Sequence, residues 1–145
     1  MKKLLTLIVL ISIHLSSLAQ NEVFRIDSIP TKGILLDKGW KWHAGDNPDF
    51  AKPDFDDSKW ESIDPTKDPD ELPQLKKAGI GWFRIHLNVD SSLKNTILSL
   101  YTYQGIATEF YQNGIFIGNF GKVSQNPNEV QAFYSFNYLI YVLDY

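Results

Sequence analysis

Residues with recognition chemistry alternate with apolar residues along the stretch WFRIHLNV, positions 82–89. Because a β-strand points successive side chains to opposite faces, Trp82, Arg84 and His86 share one face. An indole ring can stack on a sugar ring, and a guanidinium group can hydrogen-bond its hydroxyls. The spacing therefore predicts Trp82, Arg84 and His86 as ligand-binding residues for a carbohydrate or another small ligand.

A second interpretation of the same face is purely structural. Arg84 would pair with an acidic residue on a neighbouring strand, and Trp82 would pack beneath a long loop. Arginine is well suited to buried ion pairs, and indole rings bury a large apolar area. The residue types alone leave both interpretations open.

Several aspartates lie close together in one loop, at positions 46, 49, 54, 56 and 57. Calcium takes about six to eight oxygen ligands, so Asp54, Asp56 and Asp57 are candidates for a structural calcium site. The alternative is a solvated turn with capping aspartates, because the spacing does not match an EF-hand loop. Histidine and cysteine show no zinc spacing, so no cofactor other than calcium is expected.

The sequence contains no recognisable set of nucleophile, base and acid. A Gly-x-Ser-x-Gly turn is absent. The neighbouring carboxylates of Asp56 and Asp57 would point apart in an extended chain, which is unsuitable for paired acid–base catalysis. We therefore predict no catalytic residues and do not expect this chain by itself to be an enzyme.

The first residues have the parts of a secretory signal peptide. Lys2 and Lys3 precede an apolar run at positions 4–15, and Ala19 stands at an expected cleavage site before Gln20. We expect residues 1–19 to form a signal-peptide helix that is removed. Residues 20–145 would then be a single exported domain in the periplasm or outside the cell.

Composition limits which partners the chain can bind and which interactions can stabilise its fold. The formal net charge is −3, and no basic stripe is present, which argues against binding to nucleic acid. The chain has no cysteine, so its hydrophobic core rather than disulfides must stabilise the exported product.

Short apolar runs separated by Gly, Pro, Asn and Asp are typical of an all-β sandwich. Alternation places Trp40 and Trp42 on one face of a strand. A long proline-containing loop follows, in which the sequence FDDSKW ends at Trp60. In this motif the Asp and Ser side chains are predicted to cap a single helical turn that brings Trp60 inward.

Asn113 and Gly114 lie between two apolar runs and predict a two-residue hairpin turn of type I′, which requires positive φ at both positions. The predicted pairs across the hairpin are Gln112 with Ile115, Tyr111 with Phe116, Phe110 with Ile117, and Glu109 with Gly118. This register would place one aromatic face on Tyr111, Phe116 and Phe120, and a second apolar face on Phe110, Ile115 and Ile117.

Either the C-terminal segment 133–138 covers that aromatic face, or the face contacts a membrane-proximal domain or a second copy of the chain. Both possibilities remain open in the sequence.

Three motifs in order, FDDSKW, GIGWFR and ATEFYQNGIFIGNFG, resemble the galactose-binding-like jelly-roll domain. This module precedes the catalytic parts of family 2 glycoside hydrolases, and a similar module forms the exported sensing region of bacterial two-component histidine kinases. The resemblance spans positions 40–121 and implies that Trp40, Trp42, Asp56, Asp57, Trp60, Asn113 and Gly114 are structural.

The resemblance implies a non-catalytic, exported ligand-sensing or interaction module, the N-terminal part of a histidine-kinase-type sensor. The alternative is the accessory sugar-binding module of a β-galactosidase-like hydrolase, or a free-standing carbohydrate-binding protein. The segment 133–145 lacks the closing strand of the family, so we expect a jelly roll that is incomplete at its C-terminus, as in a truncated or frame-shifted gene product.

Overall fold

A computed structural model describes residues 23–94, 96–102, 105–132 and 141–142. Most regular structure in these residues is β-strand, and the one α-helix among them has six residues. The all-β class is therefore confirmed, and the curled sheets are compatible with a sandwich. The expected signal peptide and segment 133–138 lie outside the described residues. No helix in the described part is long and apolar enough to cross a membrane.

The elements are joined by irregular connections of varied length. The strands are β1 Val23–Ile26, β2 Trp40–Ala44, β3 Glu61–Ile63, β4 Gly81–Val89, β5 Ser99–Leu100, β6 Thr108–Gln112, β7 Ile115–Phe120 and β8 Tyr141–Val142. The helix α1 is Pro73–Ala78. β5 pairs with β8, β6 pairs with β7, and the other four strands form the main sheet.

The main sheet has the strand order β1-β4-β2-β3, so β4 is a central strand. β2 is antiparallel to both of its neighbours, with Trp42 opposite Phe83 on β4. β1 runs parallel to β4, with Phe24 opposite Leu87. Parallel neighbours need a long crossover, and here the chain between β1 and β4 supplies β2, β3 and α1.

One face of the main sheet carries the apolar core. Trp42, Ile63 and Leu72 are buried together, and Trp40, Leu75, Ala78 and Phe83 pack against them. Trp40 and Trp42 thus share a face, as alternation predicts. The six-residue α1 covers this face through Leu75 and Ala78, and the Trp40 Nε1 donates to the Leu36 carbonyl oxygen at 2.9 Å.

The opposite face of the same sheet carries the polar set. Lys41 lies opposite Arg84, and His43 lies opposite Trp82. This face is covered by residues 45–60, which we call the strap. The strap contains only a short 3₁₀ turn, Pro48–Ala51, as regular structure, so side chains have to fasten it to the sheet.

The hairpin of β6 and β7 turns at Asn113 and Gly114, whose φ angles are 50° and 84°. Gln112 pairs with Ile115 and Tyr111 with Phe116, as predicted. Beyond these pairs the register shifts by a β-bulge between Phe110 and Tyr111.

The bulge makes part of the predicted hairpin register wrong. Phe110 pairs with Gly118 instead of Ile117, and Glu109 pairs with Asn119. One extra residue reverses which face the rest of the strand presents. Phe120 therefore contacts Phe110, with ring centroids 6.0 Å apart, and does not join the face of Tyr111 and Phe116.

We expect Gly81→Ala to destabilise the core, because its Cβ would lie 2.6 Å from the Trp42 Nε1. Trp42 is buried, so the sheet must shift, and the free energy of unfolding should fall by about 1–3 kcal/mol. Urea unfolding followed by circular dichroism measures this loss.

The matched control places Gly81→Ala in a Trp42→Phe background. The smaller ring removes the atom that the methyl group would meet, so the added loss should be clearly smaller there. Equal losses in the two backgrounds would show that this contact is not the cause.

Candidate functional site

Asp57 is the centre of the polar face, and its side chain is only 1% exposed. Asp57 lies in a hydrogen-bonded turn rather than the predicted helical one, and Asp56 caps it: the Ser58 amide donates to Asp56 Oδ1 at 3.0 Å, and the Trp60 amide donates to the Asp57 carbonyl oxygen at 3.0 Å. Asp56 thus holds the turn from outside, while Asp57 points inward and Trp60 is buried.

Three cationic or ionisable side chains from β2 and β4 surround the Asp57 carboxylate. Lys41 Nζ donates to Oδ1 at 3.0 Å and to the Asp57 carbonyl oxygen at 3.1 Å. Arg84 Nε lies 2.9 Å from Oδ2, and His86 Nε2 lies 2.7 Å from the same oxygen. We call Lys41, Asp57, Arg84 and His86 the ion cluster.

Arg84 also holds the strap through its other nitrogens. Nη1 donates to the Phe50 carbonyl oxygen at 2.8 Å, and Nη2 donates to the Pro53 carbonyl oxygen at 2.9 Å. The Arg84 side chain is 12% exposed, and its bond to Phe50 is partly buried, whereas its bond to Pro53 lies at an exposed position. The planar guanidinium group thus contacts three separate points of the strap.

The electrostatics of the ion cluster keep Asp57 ionised. Burial of the carboxylate acts to raise its pKa, but hydrogen bonds and positive charge from His86 and Lys41 outweigh burial and hold the pKa below the ordinary 3.8. Because an ionised carboxylate can only accept hydrogen bonds, the short distance from His86 Nε2 to Asp57 Oδ2 indicates that Nε2 carries a hydrogen and donates a hydrogen bond to Asp57.

An aromatic cluster lies beside the ion cluster and packs the strap onto the sheet. The Phe50 ring contacts Trp60 at 4.9 Å, Phe55 at 5.1 Å and Trp82 at 5.9 Å between centroids, all edge-to-face. His43 of β2 contacts both Phe50 and Trp60. Edge-to-face pairs of this kind favour one orientation of the rings and so fix the strap.

Trp82 extends this aromatic packing to the hairpin and to an open hollow. Its ring lies 5.2 Å from that of Tyr111, tilted by 31°, and Tyr111 contacts Phe116 at 5.6 Å. The Trp82 Nε1 approaches Asp46 Oδ1 at 3.4 Å, and Gln125 Nε2 approaches Asp46 Oδ2 at the same distance. Asp46 thus joins the aromatic rings to the hollow.

The hollow has a volume of about 420 Å³. Its lining residues are Gly45, Asp46, Ala78, Gly79, Ile80, Ser124, Gln125, Pro127 and Val130. Asp46 is exposed, and its two weak hydrogen bonds leave carboxylate lone pairs available to a ligand. Nearby, the Tyr111 hydroxyl donates to Glu109 at 2.7 Å, a bond that raises the pKa of Tyr111 to about 12.

The structure separates the three residues predicted to bind a ligand. Arg84 and His86 face Asp57, whereas the Trp82 indole nitrogen contacts Asp46, which lines the hollow. Their assignment as ligand-binding residues stays a prediction. Sequence reasoning counted Asp46 only among the clustered aspartates and missed Gln125, which is far from it in the chain. It also missed Lys41, although alternation along β2 places Lys41 on the face opposite Trp40 and Trp42.

The calcium candidates do not converge. Asp54 is exposed, Asp56 accepts the bond from Ser58, and Asp57 is surrounded by cationic side chains that would repel a metal ion. Within the described ranges, no three acidic or histidine side chains are grouped as metal ligands. A calcium site stays a prediction from composition alone.

Comparison with known proteins identifies no relative of this chain. No protein-family model, curated protein or solved structure matches the chain. The likeness to galactose-binding-like domains therefore depends on the three sequence motifs and on the strand-rich architecture.

We expect Asp57→Asn to destabilise the protein strongly. It leaves Lys41 and Arg84 buried without their carboxylate, and breaking a buried ion pair from one side costs about 3–5 kcal/mol. The control is Asp27→Asn, which breaks an equally close but exposed pair with Arg25 and should change little. Equal effects of the two variants in chemical unfolding would contradict the role of burial.

The depressed pKa of Asp57 also predicts acid sensitivity. Its contribution to stability is complete above the pKa of the unfolded chain and is lost as the pH falls through the lower pKa of the folded state. The difference in unfolding free energy between wild type and Asp57→Asn should therefore shrink below about pH 4. A difference that stays constant from neutral to acidic pH would be evidence against a paired, ionised Asp57.

Proposed function

We propose that the chain is a non-catalytic, exported ligand-sensing or interaction module with a galactose-binding-like jelly-roll fold. Its ligand contact would lie at the hollow beside Asp46, and its parent protein would be a histidine-kinase-type sensor. The observation that carries this proposal is the exposed Asp46 in the lining of the hollow, with the Trp82 indole nitrogen 3.4 Å from its carboxylate and the Tyr111 ring packed against Trp82.

The size and chemistry of the hollow support a small polar ligand. Its volume of about 420 Å³ falls in the range of about 300–1,000 Å³ typical of small-molecule sites. Asp46 offers acceptors, Gln125 offers an amide, and Ser124 offers a hydroxyl group. The bonds of 3.4 Å that now reach Asp46 are long, so ligand hydroxyls can replace them at small cost.

The ion cluster supports a role in contact rather than in chemistry. Asp57 pairs with Arg84 and His86, and Arg84 also donates to a strap carbonyl oxygen. The side chains that could act as an acid or a base in a reaction are therefore already engaged with one another. Their location beneath the strap is suited to holding the strap on the sheet.

A second candidate is the accessory sugar-binding module of a glycoside hydrolase. The carboxylate, amide and hydroxyl groups that line the hollow are suited to a neutral saccharide. A saccharide that binds supports either parent, and the neighbouring domain then separates the two: a kinase core indicates a sensor, and a β/α barrel indicates a hydrolase.

A binding experiment tests the site. Galactose, glucose, arabinose and xylose are titrated to high millimolar concentration while intrinsic fluorescence and heat are recorded. We expect one of these sugars to bind wild type, and Asp46→Asn to weaken binding about tenfold or more, since a hydrogen bond to a charged group contributes about 1.5–3 kcal/mol.

The matched control is Asp49→Asn, another exposed strap aspartate, whose carboxylate pairs with Lys52 outside the hollow. Its affinity should equal that of wild type. Equal loss in both variants, or no binding of any of the four sugars, would count against a saccharide site at Asp46.

A further inference from the structure

We propose that Arg84 is a positioning residue that holds the strap, and thereby holds the Asp46 carboxylate at the hollow and in contact with the Trp82 indole nitrogen. The importance of this role for ligand binding rests on the proposed function. The stability of the strap, however, can be measured without any ligand.

The first step is the geometry of the Arg84 guanidinium group. Its Nε, Nη1 and Nη2 reach Asp57, the Phe50 carbonyl oxygen and the Pro53 carbonyl oxygen, at 2.9, 2.8 and 2.9 Å. A planar fork can reach three points at once, whereas a lysine ammonium group at the end of a flexible chain cannot reproduce that pattern.

The second step leads from Phe50 to the hollow. Phe50 lies in the short turn Pro48–Ala51, which Asn47 caps by accepting from the Asp49 amide at 3.0 Å. The Phe50 amide donates to the Asn47 carbonyl oxygen at 2.9 Å. Because Asp46 precedes Asn47 directly, fixing the Phe50 carbonyl oxygen limits where the Asp46 carboxylate can lie.

The Phe50 ring gives a second route to the same place. It packs edge-on against Trp82, whose indole nitrogen approaches Asp46. Displacing Phe50 would therefore disturb both Trp82 and Asp46.

The strap is also held from the side of the hairpin. A Cβ on Gly114 would lie 3.2 Å from Pro53 Cδ and 3.5 Å from the Ala51 carbonyl oxygen, so the turn rests closely on the strap. Residues 51–53 are thus held between the Arg84 fork and the Asn113–Gly114 turn.

The test is hydrogen exchange of the strap amides in Arg84→Lys, recorded without ligand. Lysine keeps a positive charge near Asp57 but loses the carbonyl contacts, so the Phe50 and Lys52 amides should exchange about tenfold faster or more. Amides of the β2–β4 ladder should keep their relative protection. The control is Arg25→Lys, at an exposed arginine paired with Asp27, which should leave the strap unchanged.

A second pair of variants perturbs the contact between the strap and the hairpin turn. It provides an independent test if Arg84→Lys does not fold. Gly114→Ala adds a methyl group against Pro53, whereas Gly33→Ala has a similar positive φ and open space around it. Strap exchange should accelerate in Gly114→Ala alone.

Uniform acceleration throughout the sheet, or no change at the strap, would overturn the positioning role. For any sugar that wild type binds, Arg84→Lys should raise the Kd about tenfold, and Arg25→Lys should not. If no sugar binds wild type, the saccharide site proposed at Asp46 fails, while the exchange data still decide whether Arg84 holds the strap.

Discussion

A buried carboxylate has to be neutralised by its surroundings, and this requirement at Asp57 organises the polar half of the molecule. Removing the ion from water is expensive, so the carboxylate is stable there only with several donors. Lys41 of β2 and Arg84 and His86 of β4 supply them, since the antiparallel register places their side chains on one face. The register of two strands therefore determines where the strap can dock.

The ion cluster contributes specificity more than net stability. A buried ion pair often gains little over an apolar replacement, because desolvation offsets the attraction. A strap docked elsewhere would leave Asp57 either buried without partners or exposed beside an uncovered Lys41 and Arg84. The aromatic contacts of Phe50, which are less demanding in position, then add burial once the charges have selected the arrangement.

Local sequence signals predicted those parts of the fold that short-range rules govern. The alternation that places Trp40 and Trp42 together, the turn that buries Trp60 and the tight turn at Asn113–Gly114 each depend on neighbouring residues. The hairpin register failed beyond Tyr111, because a bulge depends on packing that no local pattern specifies.

The candidate site was less predictable because its members are distant in sequence. Alternation identified Trp82, Arg84 and His86 as one face, but residue types could not decide which of them faces a ligand and which faces an acid. Asp57 was assigned to a cap or to calcium, since its cationic partners lie on two other elements. Asp46 and Gln125 come together only when the chain beyond the hairpin folds back to the end of β2.

The residues on this face of β4 differ in role because their partners differ in burial. Close to the middle of β4, Arg84 and His86 lie under the strap, where an unpaired charge is costly, so they pair with Asp57. At the start of β4, Trp82 contacts the strap through Phe50 and lies next to the exposed Asp46, where a carboxylate can stay hydrated without a cation. One strand face thus combines an anchoring region around the buried Asp57 with a more exposed region at Asp46. Phe50 contacts both regions, through its carbonyl oxygen to Arg84 and its ring to Trp82.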